Sequence, residues 1–449
     1  MLGLIQKNRN FRKRIMIKTL RMRSITLNLA LILITSFPLL TCNAKSLTLN
    51  PIFEESKNGI FEKDNEIYFS FVIHNDTNKE VKASLFWQVY TDQNELINQS
   101  VPEKIEISAN KKRSIRYTAK ISNPGFYKGT LNCSWGNEKL TRTVQVGYSP
   151  LSILPPLTRE PDFQVFWDNA IKDLKSVPPK FQLIHQPLLS KGNLNVYEVI
   201  MHSYGNVRVK GWYEVPKTKG PHPVILRVPG YGGNLKPINL YDDMIVLSFN
   251  PRGHGNSQDD IKGTPKNFWV RGLDDKKDYY YKGAYMDCVR AVDFLCSRGE
   301  VDSERIAIKG GSQGGGLSLS TAALDQRIDL CIPHIPFLTN WELYFKTSKW
   351  PEMDEWIEEK ESRSWESTLR TLSYFDTMNM ASMIHCPVFM GVGLQDAICP
   401  PVTNFAIFNH LSGKKEYRVY PYAKHSVKDE FHSLTFSWAR KYFGLSPNN

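Results

Sequence analysis

Cysteine is scarce in this sequence, seven in 449 residues. The six beyond position 44 (Cys133, Cys288, Cys296, Cys331, Cys386 and Cys399) follow no zinc-ligand spacing. A chain of this length does not need disulfide staples, so most of them read as small buried hydrophobes. A long unbroken apolar run is missing too: Ile25 to Leu40 is interrupted by Thr, Asn, Ser and Pro, which argues against a membrane-spanning helix. Acidic residues are absent from the first 44 positions, where eight lysines and arginines account for most of the formal charge of +12. The +4 that remains beyond them gives no reason to invoke nucleic acid.

That basic start runs into the broken apolar stretch and then into Thr41-Cys42-Asn43-Ala44. The order is that of a secretory signal over residues 1–44, cleaved after Ala44, and it implies an exported chain, periplasmic or secreted. A rival reading takes Leu39-Leu40-Thr41-Cys42 as a lipobox, with Cys42 as the lipid anchor of a membrane-attached lipoprotein. With 41% hydrophobic and 23% charged residues, the remainder reads as ordinary globular protein with room for more than one core.

Residues 45–147 alternate apolar and polar positions. Ile67, Phe69, Phe71 and Ile73 form one such series, and Val81, Ala83, Leu85, Trp87 and Val89 another. Period two buries one face of each strand. Turns of loop chemistry separate the runs, among them Asn75-Asp76-Thr77-Asn78 and Ser122-Asn123-Pro124-Gly125. The pattern predicts an immunoglobulin-like β-sandwich without the paired cysteines of antibody domains, since Cys133 stands alone. No catalytic constellation falls here; carbohydrate binding and a plain spacer role are both open. Residues 148–161, with Pro150, Pro155, Pro156 and Pro161, form an extended linker.

A second, larger domain is expected over residues 162–449. Phe163, Trp167, Ala170, Ile171 and Leu174 lie on one helical face that ends at Pro178-Pro179. From Asn195 strands and helices alternate, which argues for an α/β fold with a mostly parallel sheet. Strands are expected at 208–215, 223–228, 244–249, 305–308, 330–335, 387–392 and 416–420, and helices at 285–296, 317–325, 404–411 and 429–442. Between residues 337 and 365 lie Phe337, Trp341, Tyr344, Phe345, Trp350, Trp356 and Trp365, either a cap with stacking faces or core.

At Ile306 to Gly316 an apolar β-branched run breaks at two glycines, presents Ser312, and gives way to a helix-forming run. Gly310-x-Ser312-x-Gly314 is a nucleophile elbow, a sharp turn whose neighbouring positions must be nearly free of side chains. A serine hydroxyl needs a base, and the base an orienting carboxylate. Asp396 follows the strand ending in Gly391-Val392-Gly393, and His425 follows the strand ending at Tyr420, in the order serine, acid, histidine. The oxyanion needs two N–H donors: the backbone of Gln313, and that of Tyr231 or a neighbouring glycine in Pro229-Gly230-Tyr231-Gly232-Gly233. That glycine-rich turn lacks the spacing of a phosphate loop.

Several stretches together resemble carbohydrate esterase family 7, the acetyl xylan esterases and cephalosporin-C deacetylases. They are Gly310 to Gly314, Arg252-Gly253-His254-Gly255, Gly393 to Pro401 and Tyr420 to His425, with Thr158 to Phe163, Phe166-Trp167 and Arg370 to Phe375. The similarity runs from about Leu151 to Phe443 and implies an α/β-hydrolase fold. It implies a serine esterase without metal or other cofactor, acting on acetylated oligosaccharides and commonly hexameric through the catalytic domain. Carried onto this chain, it implies Ser312 as nucleophile, His425 as base, Asp396 as its orienter, and Tyr231 and Gln313 as backbone oxyanion donors. Two positions depart from the family: His254 replaces a glutamine, and Ser426 replaces a glutamate beside the base.

The residues leave two other readings open. A peptidase of the prolyl-oligopeptidase kind shares fold and triad order, though the N-terminal region is too short for a propeller. A non-catalytic glycan-binding protein could keep the same scaffold.

Overall fold

Period-two patterning in the first hundred residues after position 46 becomes two sheets. The computed structural model describes residues 47–446 apart from 56, 63–65, 262–266 and 349; the expected signal segment and Cys42 lie outside the described residues. The early strands are β1 (Leu47–Ile52), β2 (Ile60–Phe61), β3 (Glu66–Asn75), β4 (Val81–Thr91), β5 (Leu96–Gln99), β6 (Glu103–Ile107), β7 (Lys112–Lys120), β8 (Gly125–Trp135) and β9 (Glu138–Tyr148). One sheet has the order β1-β3-β7, the other β2-β9-β8-β4-β5 with β6 on β4. Alternate residues of β3, from Ile67 to Ile73, are buried and meet Trp87, Leu131 and Val146 from the other sheet in a common core. Cys133 is buried in that core as a free thiol.

Residues 149–162 then run along the later part of the chain. Asn409 donates to the carbonyls of Pro150 and Ile153 at 2.8 and 2.7 Å, and Thr158 N–H donates to Asn379 Oδ1 at 2.9 Å. Helix α1 (Phe163–Ser176) buries Phe163, Trp167, Ala170 and Leu174 of the face expected of it, while Ile171 is half-buried at its margin and Phe166 joins the buried face instead.

A nine-stranded sheet organises residues 182–420: β10 (Gln182–His185), β11 (Leu194–His202), β12 (Arg208–Pro216), β13 (His222–Val228), β14 (Ile245–Asn250), β15 (Val301–Gly311), β16 (Leu330–His334), β17 (Val388–Gly393) and β18 (Lys415–Tyr420). Their spatial order is β10-β11-β12-β14-β13-β15-β16-β17-β18. The first four neighbours pair antiparallel, and every later pair is parallel. Alternation of strand and helix therefore begins later than the sequence pattern suggested. β10 to β12 form a meander at the sheet edge, where short connections suffice because antiparallel neighbours need no crossover.

The helices are α2 (Tyr280–Cys296), α3 (Gln313–Leu324), α4 (Trp341–Thr347), α5 (Pro351–Glu358), α6 (Trp365–Ser373), α7 (Thr377–Met380), α8 (Pro401–His410) and α9 (Asp429–Tyr442). The large core lies on the α2 and α3 face of the sheet, and a small one lies on the α9 face around Ala307, Ile332 and Phe431. The aromatic run 337–365 is chiefly core: Phe337, Trp341, Tyr344 and Trp356 are buried, and Trp365 is 38% exposed. Because β15, β17 and β18 are parallel, their carboxyl ends share one edge, and the three residues just past those ends share one site.

Candidate active site

Strand β15 ends at Gly311 and helix α3 begins at Gln313, so one residue makes the whole reversal. That residue is Ser312, at φ 56° and ψ −122°, a region a residue with a Cβ occupies only under constraint from its surroundings. The constraint is close approach. A Cβ on Gly310 would lie 2.4 Å from the Gly314 carbonyl oxygen, and one on Gly314 would lie 2.5 Å from that of Val228. The glycines delayed the expected helix start to Leu317, yet they are what lets α3 begin immediately under the serine.

His425 places Nε2 3.0 Å from Ser312 Oγ and Nδ1 2.8 Å from Asp396 Oδ2. The other Asp396 oxygen accepts from the N–H groups of Ile398 and Cys399 at 2.8 and 2.9 Å. The carboxylate is thus fixed at both ends in a side chain with no exposure. Asp396, Cys399 and His425 also bring three potential ligand atoms within 4.8 Å. Both imidazole nitrogens already face Asp396 and Ser312, so the cluster has the form of a proton relay and not of a cation site.

The turn after β13 closes with Gly233 N–H on the Gly230 carbonyl at 2.9 Å, and it abuts the serine: a Cβ on Gly230 would lie 3.9 Å from Ser312 Cβ. Tyr231 is therefore on the loop facing the nucleophile, and Gln313 heads α3, where N–H groups are unpaired by the helix itself.

Behind this turn the structure shows a network that the sequence did not disclose. His254 Nε2 faces both Gly232 N–H, at 3.3 Å, and the Gln313 side-chain amide, at 3.1 Å. Tyr281 donates to Gln313 Oε1 at 2.8 Å, and Tyr280 donates to the Arg252 carbonyl at 2.7 Å while lying 3.2 Å from His254 Nδ1. His254 thus ties the turn after β13 to the head of α3. The available signal was the run Tyr279-Tyr280-Tyr281, whose hydroxyls need partners once buried.

Burial lowers the His254 pKa to about 4 from 6.5. The folded protein keeps this imidazole neutral across a range in which the unfolded chain takes up a proton. Stability from this site is therefore complete above pH 6.5 and is lost as pH falls toward 4. Relative to His254→Gln, the wild type is expected to lose about 3 kcal/mol over that window, and parallel denaturation curves at several pH values check it.

The family model for acetyl xylan esterase (AXE1) matches residues 154–442. The chain belongs to the acetyl xylan esterase family. It is accordingly an enzyme, a serine carboxylic ester hydrolase on an α/β-hydrolase fold. An acetyl esterase of Xylanibacter ruminicola, Axe7A, is 28% identical over 340 residues, 72% of this chain and 75% of its own. The solved acetyl xylan esterase of Paenibacillus sp. R4 is 36% identical and superposes with a TM-score of 0.62 over 65% of this chain and 98% of its own. Acetyl xylan esterase 1 from Thermoanaerobacterium sp. JW/SL YS485 is 27% identical, with a TM-score of 0.61 over 66% and 98% of the two chains.

The all-β region precedes the part matched by the acetyl xylan esterase family model, and it touches the site nonetheless. Gln145 N–H on β9 donates to Gln395 Oε1 at 2.8 Å, and Gln395 Nε2 returns a bond to the Gln145 carbonyl at 3.0 Å. Gln145 Nε2 also donates to the Leu394 carbonyl at 2.9 Å, and Gln395 Nε2 to that of Pro421 at 2.8 Å. One glutamine pair thus joins the early sheet, the loop of Asp396 and the loop leading to His425. Gln395→Ala is expected to lower kcat about tenfold with a smaller change in KM, by steady-state kinetics, because loosening the acid by a fraction of an ångström degrades proton transfer.

Proposed function

We propose that this chain is an exported serine esterase that removes acetyl groups from acetylated xylan fragments and related carbohydrates. The observation that carries the reading is the unbroken chain of bonds from Asp396 through His425 to Ser312 at the tip of a nucleophile elbow, in a member of the acetyl xylan esterase family. Ser312 Oγ attacks the acetyl carbonyl as its proton passes to His425 Nε2, and the developing oxyanion is met by the backbone N–H groups of Gln313 and Tyr231. The carbonyl re-forms, the carbon–oxygen bond to the sugar breaks, and the leaving sugar oxygen takes the proton from His425. Water, deprotonated by the same imidazole, then attacks the acetyl-serine, releasing acetate and restoring the Ser312 hydroxyl. The side chains the mechanism uses supply every proton transfer, so it calls on no cofactor.

The early sheets read as an immunoglobulin-like sandwich, supported by the two-sheet pairing and the common core, with a boundary to the catalytic domain in residues 148–161. Among the described residues no helix is long and apolar enough to cross a membrane. Mass of the mature N-terminus distinguishes cleavage after Ala44 from a lipid on Cys42. The function itself is tested by acetate release from acetylated xylo-oligosaccharides, wild type beside Ser312→Ala. Release by the wild type alone supports it, and release by neither folded protein, with a small activated acetate ester also untouched, overturns it.

A further inference from the structure

Ser312 and His425 open into a cleft of about 620 Å³, and one wall of it takes no part in the ester chemistry. Along β15, Ile306 and Ile308 enter the large core and Ala307 the small one on the opposite face. The pleat puts Lys309 on the Ala307 side, where it lines the cleft together with Arg227 from β13. The space exists because the crossover from β13 to β14 contains no helix: residues 229–244 run as turns and extended chain, whereas parallel neighbours are usually joined through a helix. Ile238 and Tyr241 of that crossover and His432 and Phe436 of α9 line the cleft as well.

This wall is cationic. Lys309 Nζ donates to Thr435 Oγ1 at 3.1 Å, and burial, with the Arg227 charge beside it, pushes its ammonium down to about 8. Arg227 donates to Ser248 Oγ at 2.9 Å. Burial lowers its pKa, and the nearby Glu214 and Tyr241 oppose that shift. The Glu214 carboxylate is itself held by Ile238 N–H at 2.9 Å. His432 is pushed down by burial and by Lys309, with Asp429 opposing, and burial pushes His334 well down. Neither histidine carries a charge that would replace the lysine's at neutral pH. A half-buried ammonium next to a guanidinium is stabilised by an anion brought in from outside. Lys309 precedes Ser312 by three residues, roughly 10 Å along a strand, which places such an anion a sugar unit or two from the acetyl group under attack.

We infer that this wall is an anion-recognising subsite, and that the preferred substrate is an acetylated carbohydrate carrying a carboxylate or sulfate close to the acetylated hydroxyl. The inference rests on the esterase reading above and narrows its substrate. It is tested by kcat/KM for acetate release from two matched pairs. One pair is an acetylated uronic-acid-bearing xylo-oligosaccharide and its uronate methyl ester, and the other is an acetylated sulfated oligosaccharide and its unsulfated counterpart. The wild type is expected to prefer the anionic member of one pair by about tenfold, and the pair that responds tells carboxylate from sulfate. That preference should fall toward one in Lys309→Met, persist in Lys309→Arg, and shrink at high salt. A wild-type ratio near one for both pairs, or a ratio that Lys309→Met leaves unchanged, overturns the subsite. Hydrolysis of 4-nitrophenyl acetate separates the failures. If the wild type hydrolyses it while both ratios are near one, the subsite alone falls; if it does not, the esterase reading falls and takes the subsite with it.

Discussion

Ser312→Ala is expected to lower kcat/KM for acetate esters about ten-thousand-fold or more, while KM and the melting temperature stay close to those of the wild type. Alanine keeps the Cβ, so the constrained turn at φ 56° and the packing of β15 on α3 are unaltered. What disappears is the atom 3.0 Å from His425 Nε2, and with it the acetyl-serine intermediate. Residues that act as a unit lose activity together, so Ser312→Ala combined with His425→Ala should be little worse than either alone. The residual rate reports what the oxyanion donors contribute without a nucleophile. A variant that kept more than a few per cent of wild-type activity would move the nucleophile elsewhere. Initial rates on an activated acetate ester, with circular dichroism to verify folding, are sufficient to decide.

The largest expected effect on stability comes from Asp287→Ala. Asp287 on α2 is fully buried and accepts three bonds from Arg252: from its backbone N–H at 3.0 Å, and from Nε and Nη2 at 2.8 Å each. Arg252 Nη2 also reaches the Tyr204 carbonyl at 2.8 Å, and its own carbonyl receives the Tyr280 hydroxyl. Removing the carboxylate leaves a guanidinium in the interior with no compensating charge, at a cost of about 3–5 kcal/mol. That is a large part of the 5–15 kcal/mol that typically separates folded from unfolded protein. Charge and not packing causes the loss, so the double variant Arg252→Met with Asp287→Leu should recover much of it; urea midpoints of the three proteins provide the comparison. A loss below about 1 kcal/mol would mean that water reaches the guanidinium.

Part of the site could be read in the sequence because its requirements act on neighbours in the chain. An elbow needs small residues two positions either side of the nucleophile, and Gly310 and Gly314 meet that locally. Asp396 and His425, which the structure brings to Ser312, were legible by order, each in the loop after an apolar strand. The support around them was not. Gln145 and Gln395 lie 250 residues apart, and nothing in either one's surroundings marks a partner. His254 stood out only as a departure from a family pattern; that it holds Gly232 and Gln313 together is a fact of packing. Lys309 resembled any strand residue with a polar side chain, and it became notable once the helix-free crossover left its face of the sheet open.

The sequence by itself determined the parallel strands, the helices that flank them and the residue types at the elbow, because strand pleat, helix periodicity and turn sterics depend on residues near one another. The tertiary structure alone decided that β10 to β12 run as an antiparallel edge, that an early all-β region braces the loop of Asp396, and that a cationic wall faces the nucleophile. These depend on contacts between distant segments, whose geometry is set by how the sheets and helices pack as a whole.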